Sequence, residues 1–389
     1  MKTKISDIWR SIKLPVLAFS LAILTGGLLI AFSDPKVIRL WKSPGKFIQE
    51  ALLVVGKAYA ALFQGAIFDP NLTRKNFSHG FYPLSETFTI AAPLILAALS
   101  VTLAFRAGLF NIGAQGQFIF GAIGASYVGF HFSLPPIIHI LAAIGFAILL
   151  SGLWGGLVGL LKARTGAHEV IVTIMLNYVA SYFLLWLLLT TTFLRKGRQD
   201  PIAPEVQENA RLPRLFGDSF RVNFAIIIAL IVAWLVAQLL HRTTWGFQFR
   251  AVGANTVAAR TAGMSVPFVM TSVMVMCGAL AGLGGAVQIL GSEPALTAGA
   301  AGSCGFDAIT VALLGRAQPL GTVLAAFLFA ALRAGGLTMQ ANTTTPIDIV
   351  LVIQALVVLF IAAPTMVRAV FRVKNVKTTS DMAAKGWNG

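Results

Sequence analysis

The amino-acid sequence predicts an all-α integral membrane protein, a polytopic helical bundle of about nine or ten transmembrane segments with discontinuous or re-entrant helices. Composition is the first reason: of 389 residues 57% are hydrophobic and 11% charged, with a mean hydropathy of +0.81, a balance that water-soluble domains do not have. Patterning is the second. The apolar residues gather in runs long enough to cross a ~30 Å hydrocarbon core at about 1.5 Å per residue, where helices satisfy their own backbone. The placement of charge is the third. The formal net charge of +16 is spread over short loops and tails flanking the apolar runs, as topology requires, rather than gathered on one surface for nucleic acid.

Lys2, Lys4, Arg10 and Lys13 precede an apolar run at 14–32 that has no small-x-small cleavage site, which predicts a retained first helix starting inside. Further runs lie at 87–105, 117–132, 136–161, 170–194, 223–240, 267–290, 305–334 and 346–363. The run at 305–334 is interrupted by GRAQPLG at 315–321, so it reads as one crossing or two. Two give ten crossings and put the basic cluster Arg368, Arg372, Lys374 and Lys377 inside. Residues 1–373 thus read as one transmembrane domain, followed by a flexible cytoplasmic tail at 374–389. Parity places the polar stretches 33–85 and 195–222 outside. Both carry several Lys and Arg, offset by Asp34, Glu50 and Asp69 in the first and by Asp200, Glu205, Glu208 and Asp218 in the second. With an amphipathic region at 47–68, they are expected to lie along the extracytoplasmic surface.

Several function classes fall away at this level. Cys277 and Cys304 lack metal-ligand spacing and His79, His131, His139, His168 and His241 are scattered, so no metal, cofactor or disulfide framework is expected. No GxxxxGK[ST] phosphate loop is present, so the chain does not hydrolyse ATP itself. The transmembrane runs lack the chain of Asp, Glu and His that a proton-coupled carrier uses, and no acids visibly converge as in an enzyme.

Polar segments in apolar surroundings carry the functional signal. RAVGANTVAARTAG at 250–263 lies between two spanning runs, and His241, Arg242, Arg250 and Arg260 assign the segment 241–266 to the cytoplasm as a docking loop. FRAGLFNIGAQGQFIFGAIGA at 105–125 places Arg106, Asn111, Gln115 and Gln117 among Gly108, Gly113 and Gly116. Such groups are costly in lipid and face a cavity or another helix, while glycines let the backbone break or approach a ligand. The segment is either part of a solute path or a tight turn at the cytoplasmic surface with Arg106 as a topology charge. In GAHEVIVTIMLNY at 166–178, Glu169 suits a helix N-terminus, whereas Asn177 falls two turns into an apolar run and either bonds a neighbouring helix or lines the path. In GFDAITVALLGRAQPLG at 305–321, Asp307 and Arg316 bracket an apolar stretch too short to span untilted, which suggests a half-helix or a strongly tilted one. The preceding 291–305, rich in Gly and Ala with Glu293 as its only charge, is an extracytoplasmic gate or a plain loop. The candidate path set is therefore Arg106, Asn111, Gln115, Gln117, Asn177 and Asp307. Gly152, Gly155, Gly156 and Gly159, with Gly278, Gly282, Gly284 and Gly285, read as helix contacts rather than a nucleotide fingerprint, since no strand precedes them.

Val257-Ala258-Ala259 followed by Gly263 resembles the EAA-loop of ABC importer permeases, with Val257 where that pattern usually has Glu. The three polar segments resemble matching regions of the permease family that moves simple sugars, nucleosides and branched-chain amino acids, strongly over about 86–365 and loosely over the first helix. The resemblance implies a multi-pass protein of the bacterial inner (plasma) membrane. Two permease subunits would form the pathway, two ATPase subunits would dock below, and an extracytoplasmic substrate-binding protein would deliver the solute. It places coupling on Gly253, Asn255, Ala258, Ala259, Arg260 and Gly263. The FNIGAQGQ form and the long N-terminal region look most like nucleoside-type permeases, which commonly pair with a shorter paralogue, so a heterodimer is expected.

Amides, hydroxyls such as Thr173 and Thr310, and rings such as Phe110 and Phe118 suit a neutral nucleoside or related sugar-like solute. Charges at Arg106, Asp307 and Arg316 would serve an ionic solute if they converged. A simple-sugar permease of ribose or galactose type, or an ion-coupled secondary transporter, is the alternative.

Overall fold

The computed structural model describes residues 2–74, 77–343 and 345–371, and its helices follow the apolar runs. In chain order they are α1 (Lys2–Ser33), α2 (Pro35–Arg39), α3 (Pro44–Ala66), α4 (Tyr82–Arg106), α5 (Ala114–His131), α6 (Pro136–Thr165) and α7 (Glu169–Leu188). A short strand β1 (Ile202–Glu205) precedes α8 (Ala225–Arg242), α9 (Thr244–Ala254), α10 (Thr256–Thr261) and α11 (Val266–Val287). A second strand β2 (Ala295–Thr297) leads to α12 (Cys304–Leu314), α13 (Pro319–Asn342), α14 (Asp348–Ala362) and α15 (Pro364–Val370). The tail expected at 374–389, with Arg372, Lys374 and Lys377, lies outside the described residues.

Among the described residues seven helices are long and apolar enough to cross a membrane, ending with Val266–Ser292 and Pro319–Asn342. The 18-residue α5 and the shorter α12 and α14 supply the other predicted segments. The run at 305–334 divides in two at residues 315–318, where Arg316 (φ 55) and Ala317 (φ 49) both take left-handed backbone. The turn is tight: a Cβ on Gly321 would sit 2.4 Å from the Gly315 carbonyl oxygen. With 11 residues α12 is about 16 Å long, half a membrane core, which agrees with the half-helix reading.

The chain forms two compact units. Among the described residues one comprises 2–56 and 345–371; in it α1 packs on α14 and α15, and α14 buries Val350, Ile353, Val357 and Phe360 at helical spacing. The other, residues 57–344, holds everything discussed below. At its centre lie α4 and α5, each buried over most of its length, with α11 against both and α6, α8, α12 and α13 around them. Small residues allow this closeness. A Cβ on Gly278 would stand 2.2 Å from the Ser151 carbonyl oxygen, and one on Gly121 would stand 2.1 Å from that of Gly282, so the glycine rows are helix contacts.

Helix boundaries follow local chemistry. Proline occupies the first turn of α4, α6, α11 and α13, where its missing N–H costs nothing, and α6 ends after Lys162 and Arg164 at Gly166 in left-handed backbone (φ 70). Two short strands add to the helical reading. β1 pairs antiparallel with β2, Ile202 opposite Thr297 and Glu205 opposite Ala295, so the loop at 291–305 is tied to the 195–222 segment. The amphipathic stretch forms α3, whose C-terminal part buries Ala58, Ala61 and Gly65 and packs on α13, where a Cβ on Gly335 would meet the Leu62 carbonyl oxygen at 2.2 Å.

Candidate functional site

The polar features of this unit gather at the two ends of α4. At its C-terminal end the 241–266 segment folds into two short helices. Thr243 caps α9 by accepting the Gly246 N–H at 3.0 Å, and Asn255 ends α9 and caps α10 by accepting the N–H groups of Val257 and Ala258, each at 3.0 Å. Gly263, at φ 81, closes α10: its N–H donates to the Arg260 carbonyl and that of Met264 to the Ala259 carbonyl, both at 3.0 Å. Ala259 faces inward, buried, while Asn255, Val257, Ala258 and Arg260 are exposed. Gly253 rests on the α4–α5 turn, where a Cβ would meet the carbonyl carbon of Ala107 at 2.6 Å and the nitrogen of Gly108 at 2.7 Å. The segment therefore bears on that turn backbone to backbone.

From the turn the chain doubles back along α4. Asn111 donates to Ser100 Oγ at 3.0 Å and to Gln117 Oε1 at 2.8 Å, and Gln117 donates in return at 3.2 Å. Asn177 of α7 accepts the Gly116 N–H at 2.8 Å and donates to the Ile112 carbonyl at 2.9 Å. These buried amides satisfy one another and clamp residues 111–117 to α4 and α7. Gln115 reaches the other way: it donates to the Gly302 carbonyl and accepts the Gly305 N–H, both at 2.8 Å.

Gly302 belongs to the wall of a cavity of about 250 Å³ beside the N-terminal half of α4. Three interrupted helices shape it. Pro93 within α4 removes the N–H that would bond the Thr89 carbonyl, α11 ends in a π turn at Gln288–Ser292, and α12 begins only at Cys304. Freed backbone groups at broken helices are how membrane proteins build polar sites. Glu86 and Arg221 form an ion pair at 3.1 Å on the wall, and a second cavity of about 380 Å³ shares both residues with Ile90 and Leu337. Arg333 of α13 pairs with Asp307 at 3.5 Å, and Ser303 donates to the same carboxylate at 2.7 Å. Gln288 donates to Glu293 at 3.0 Å. Burial pushes the Glu293 carboxyl above its ordinary range, opposed by the Gln288 hydrogen bond and by Arg221 and Arg333. Opposite charges are thus matched around the cavity rather than accumulated in one sign.

Of the residues singled out in the sequence, Gln115 and Asp307 adjoin this cavity through Gly302 and Arg333. Asn111, Gln117 and Asn177 sit in the amide clamp, and Arg106 ends α4 beside Gly253. Arg106, Asp307 and Arg316 do not converge: Arg316 follows Asp307 by nine residues, about 13 Å along α12. Phe118 is core, Phe110 is exposed on the turn, Thr173 donates to the Glu169 carbonyl, and the cavity wall carries no aromatic ring. Glu169 begins α7 and pairs with Lys162 at 2.5 Å. Sequence reasoning missed Glu86, Thr89, Arg221, Gln288 and Arg333. Arg333 had a signal, as a charge inside an apolar run. Among the described residues no three His, Cys, Asp or Glu side chains gather as a metal site would require.

The family described as "branched-chain amino acid transport system / permease component" matches residues 84–362. The chain is 36% identical over 317 residues to the guanosine ABC transporter permease protein NupP of Bacillus subtilis (strain 168), covering 81% of this chain and 88% of that one. It is 34% identical to the glucose ABC transporter permease protein TsgB13 of Haloferax volcanii, covering 82% and 86%. It is 33% identical to the nucleoside ABC transporter permease protein NupB of Lactococcus lactis subsp. cremoris (strain MG1363), covering 78% and 85%.

Proposed function

This chain belongs to the family of permease components of the branched-chain amino acid transport type, and we propose that it forms the path for a nucleoside or a related neutral, sugar-like solute. It is a transport subunit of an ABC system in the inner membrane and not an enzyme; a separate ATPase subunit and a substrate-binding protein work with it. An ion-coupled carrier is thereby set aside.

The cavity is the observation that supports the solute reading. Its carboxylates, guanidinium groups, amide and hydroxyls can replace the hydration of ribose hydroxyls and a base edge, and matched opposite charges give no net attraction for an ion. With no ring on the wall, a base would stack on the guanidinium planes of Arg221 or Arg333. The relatives named for guanosine and nucleosides point the same way. The absence of an aromatic platform, together with the relative named for glucose, favours a simple sugar as the second reading.

In this account the cavity opens outward, beside the 195–222 segment, and Gln115 closes its floor. The route inward runs past Asn111, Gln117, Asn177 and Arg106, and Asp307 acts through Arg333. Gly253, Asn255, Ala258, Ala259, Arg260 and Gly263 form the surface through which the ATPase drives opening. A paralogous permease subunit completes the pathway as a heterodimer, which rests on the resemblance to nucleoside-type permeases.

Single cysteines in a background lacking Cys277 and Cys304, within the assembled transporter, test this. Thr89→Cys is expected to react with an impermeant thiol reagent added outside and to be protected by guanosine. Asn111→Cys is expected to react only during ATP turnover. Protection by ribose or glucose alone selects the sugar reading, whereas protection by leucine alone, or no reaction at Thr89→Cys in any nucleotide state, overturns the proposal.

A further inference from the structure

Among the described residues two guanidinium groups near the α4–α5 turn have no partner. Arg106 is the last residue of α4, and Arg250 lies in α9, one helical turn before Gly253, which is seated on the backbone of residues 106–108. The Nε of Arg106 and an Nη of Arg250 are buried without a hydrogen-bond acceptor, and among the described residues neither side chain forms an ion pair. A charged donor left in that condition is costly.

The surroundings offer no relief. Lys162, Arg164, His168, His241, Arg242, Arg260 and Arg316 lie in the segments that lead to this end of the 57–344 unit, and Glu169, the carboxylate of the described residues in those segments, is already held by Lys162. The exposed crest of α10, Thr256 to Ala258, carries no charge of its own. A lone chain gains nothing by half-burying two guanidinium groups with one nitrogen of each cut off from any acceptor, whereas a chain that receives an anion there gains paired, charge-assisted hydrogen bonds in fixed geometry.

We propose that Arg250 and Arg106 form a receptor for a carboxylate of the ATPase subunit, set beside the α9–α10 crest so that docking and the anchoring of the α4–α5 turn are one event. This rests on the reading that α9–α10 docks the ATPase. The partner's complementary surface is acidic, and the bond forms between a planar guanidinium fork and an Asp or Glu side chain rather than with a phosphate of the nucleotide. The anion belongs to the partner, so its contribution appears on association and not in the stability of the isolated chain.

The test measures how much ATPase subunit co-purifies with the tagged, co-expressed permease as KCl rises from about 0.1 M to about 1 M. Wild type is expected to lose ATPase with salt. Arg250→Gln and Arg106→Gln should each retain about tenfold less at low salt and show a flatter salt response, with Arg250→Lys between. Thermal unfolding of the purified permease alone should be unchanged or raised by the Gln substitutions, because they remove a half-buried charge whose buried nitrogen has no acceptor. A fall in that stability that accounts for the lost association overturns the proposal, as does normal ATPase retention in both Gln variants. Gly263→Arg separates the two levels: if it loses the ATPase while the arginine variants keep it, docking stands and the receptor fails. Normal retention in all three removes the docking reading itself.

Discussion

Gln115 is the amide of the 105–125 segment that reaches away from the buried clamp, its side chain bridging Gly302 on the cavity wall and Gly305 at the start of α12. Gln115→Leu leaves the buried Gly305 N–H unpaired, at a cost of about 1–3 kcal/mol, and releases the carbonyl of the exposed Gly302. Solute uptake is expected to fall about tenfold or more while ATPase co-purification stays normal; equal losses in both measurements would mark the residue as packing only. Glu293 makes a second residue-scale prediction. Its carboxyl is raised in the folded protein, so it favours the native state when protonated, and that contribution is lost as pH rises through the raised value. For transport the sign reverses: a carboxylate that accepts from the solute is lost as external pH falls through the raised value. Uptake should decline there, and Glu293→Gln should flatten the profile; a wild-type profile unchanged by that substitution would remove Glu293 from the site. The polar anomalies at 105–125 were visible in the sequence because amides are conspicuous among apolar residues. Their partners were not, since Ser100, Gly302 and Gly305 are unremarkable until the chain brings them together.

At the scale of elements, the coupling proposed for the 244–261 segment requires that its contact with the α4–α5 turn be rigid. Gly253→Ala places a Cβ against backbone atoms that have nowhere to move, so it should reduce uptake strongly while a tagged chain still inserts in the membrane. Gly263 differs: nothing lies within 4 Å of a Cβ there, but φ 81 makes any other side chain strained by about 1–2 kcal/mol. Gly263→Ala should therefore be mild and Gly263→Arg should abolish transport with insertion intact, measured by uptake and by membrane immunoblot. If Gly263→Ala proves as damaging as Gly253→Ala, the ranking of space over strain is wrong. Helix positions were legible because apolar runs and their proline starts declare them, and GRAQPLG marked the break between α12 and α13. The two short helices of 244–261 were read only as a loop. Their caps, Thr243 and Asn255, were there to be read, but no apolar period of usual length accompanied them. The strand pair β1–β2 was missed for the complementary reason, since each strand is too short to show alternation.

Across the 57–344 unit the polar chemistry of the described residues separates along α4: matched charges around a cavity at one end, unpaired cations near the exposed α10 at the other, and the Gln115 and Asn111 amides between. That separation suits a machine that takes a neutral solute on one face and a nucleotide-driven partner on the other. Composition and hydropathy made the membrane class legible at once. The division of labour was not, because it depends on which distant segments meet, as Glu86 meets Arg221 and Asp307 meets Arg333. The central claim is that this path carries nucleosides or close neutral relatives, and uptake of labelled solutes by cells deleted for the gene tests it most directly. The account predicts that deletion removes purine and pyrimidine nucleoside uptake and that the wild-type chain restores it. Unchanged nucleoside uptake, with lost uptake of a branched-chain amino acid, would contradict it.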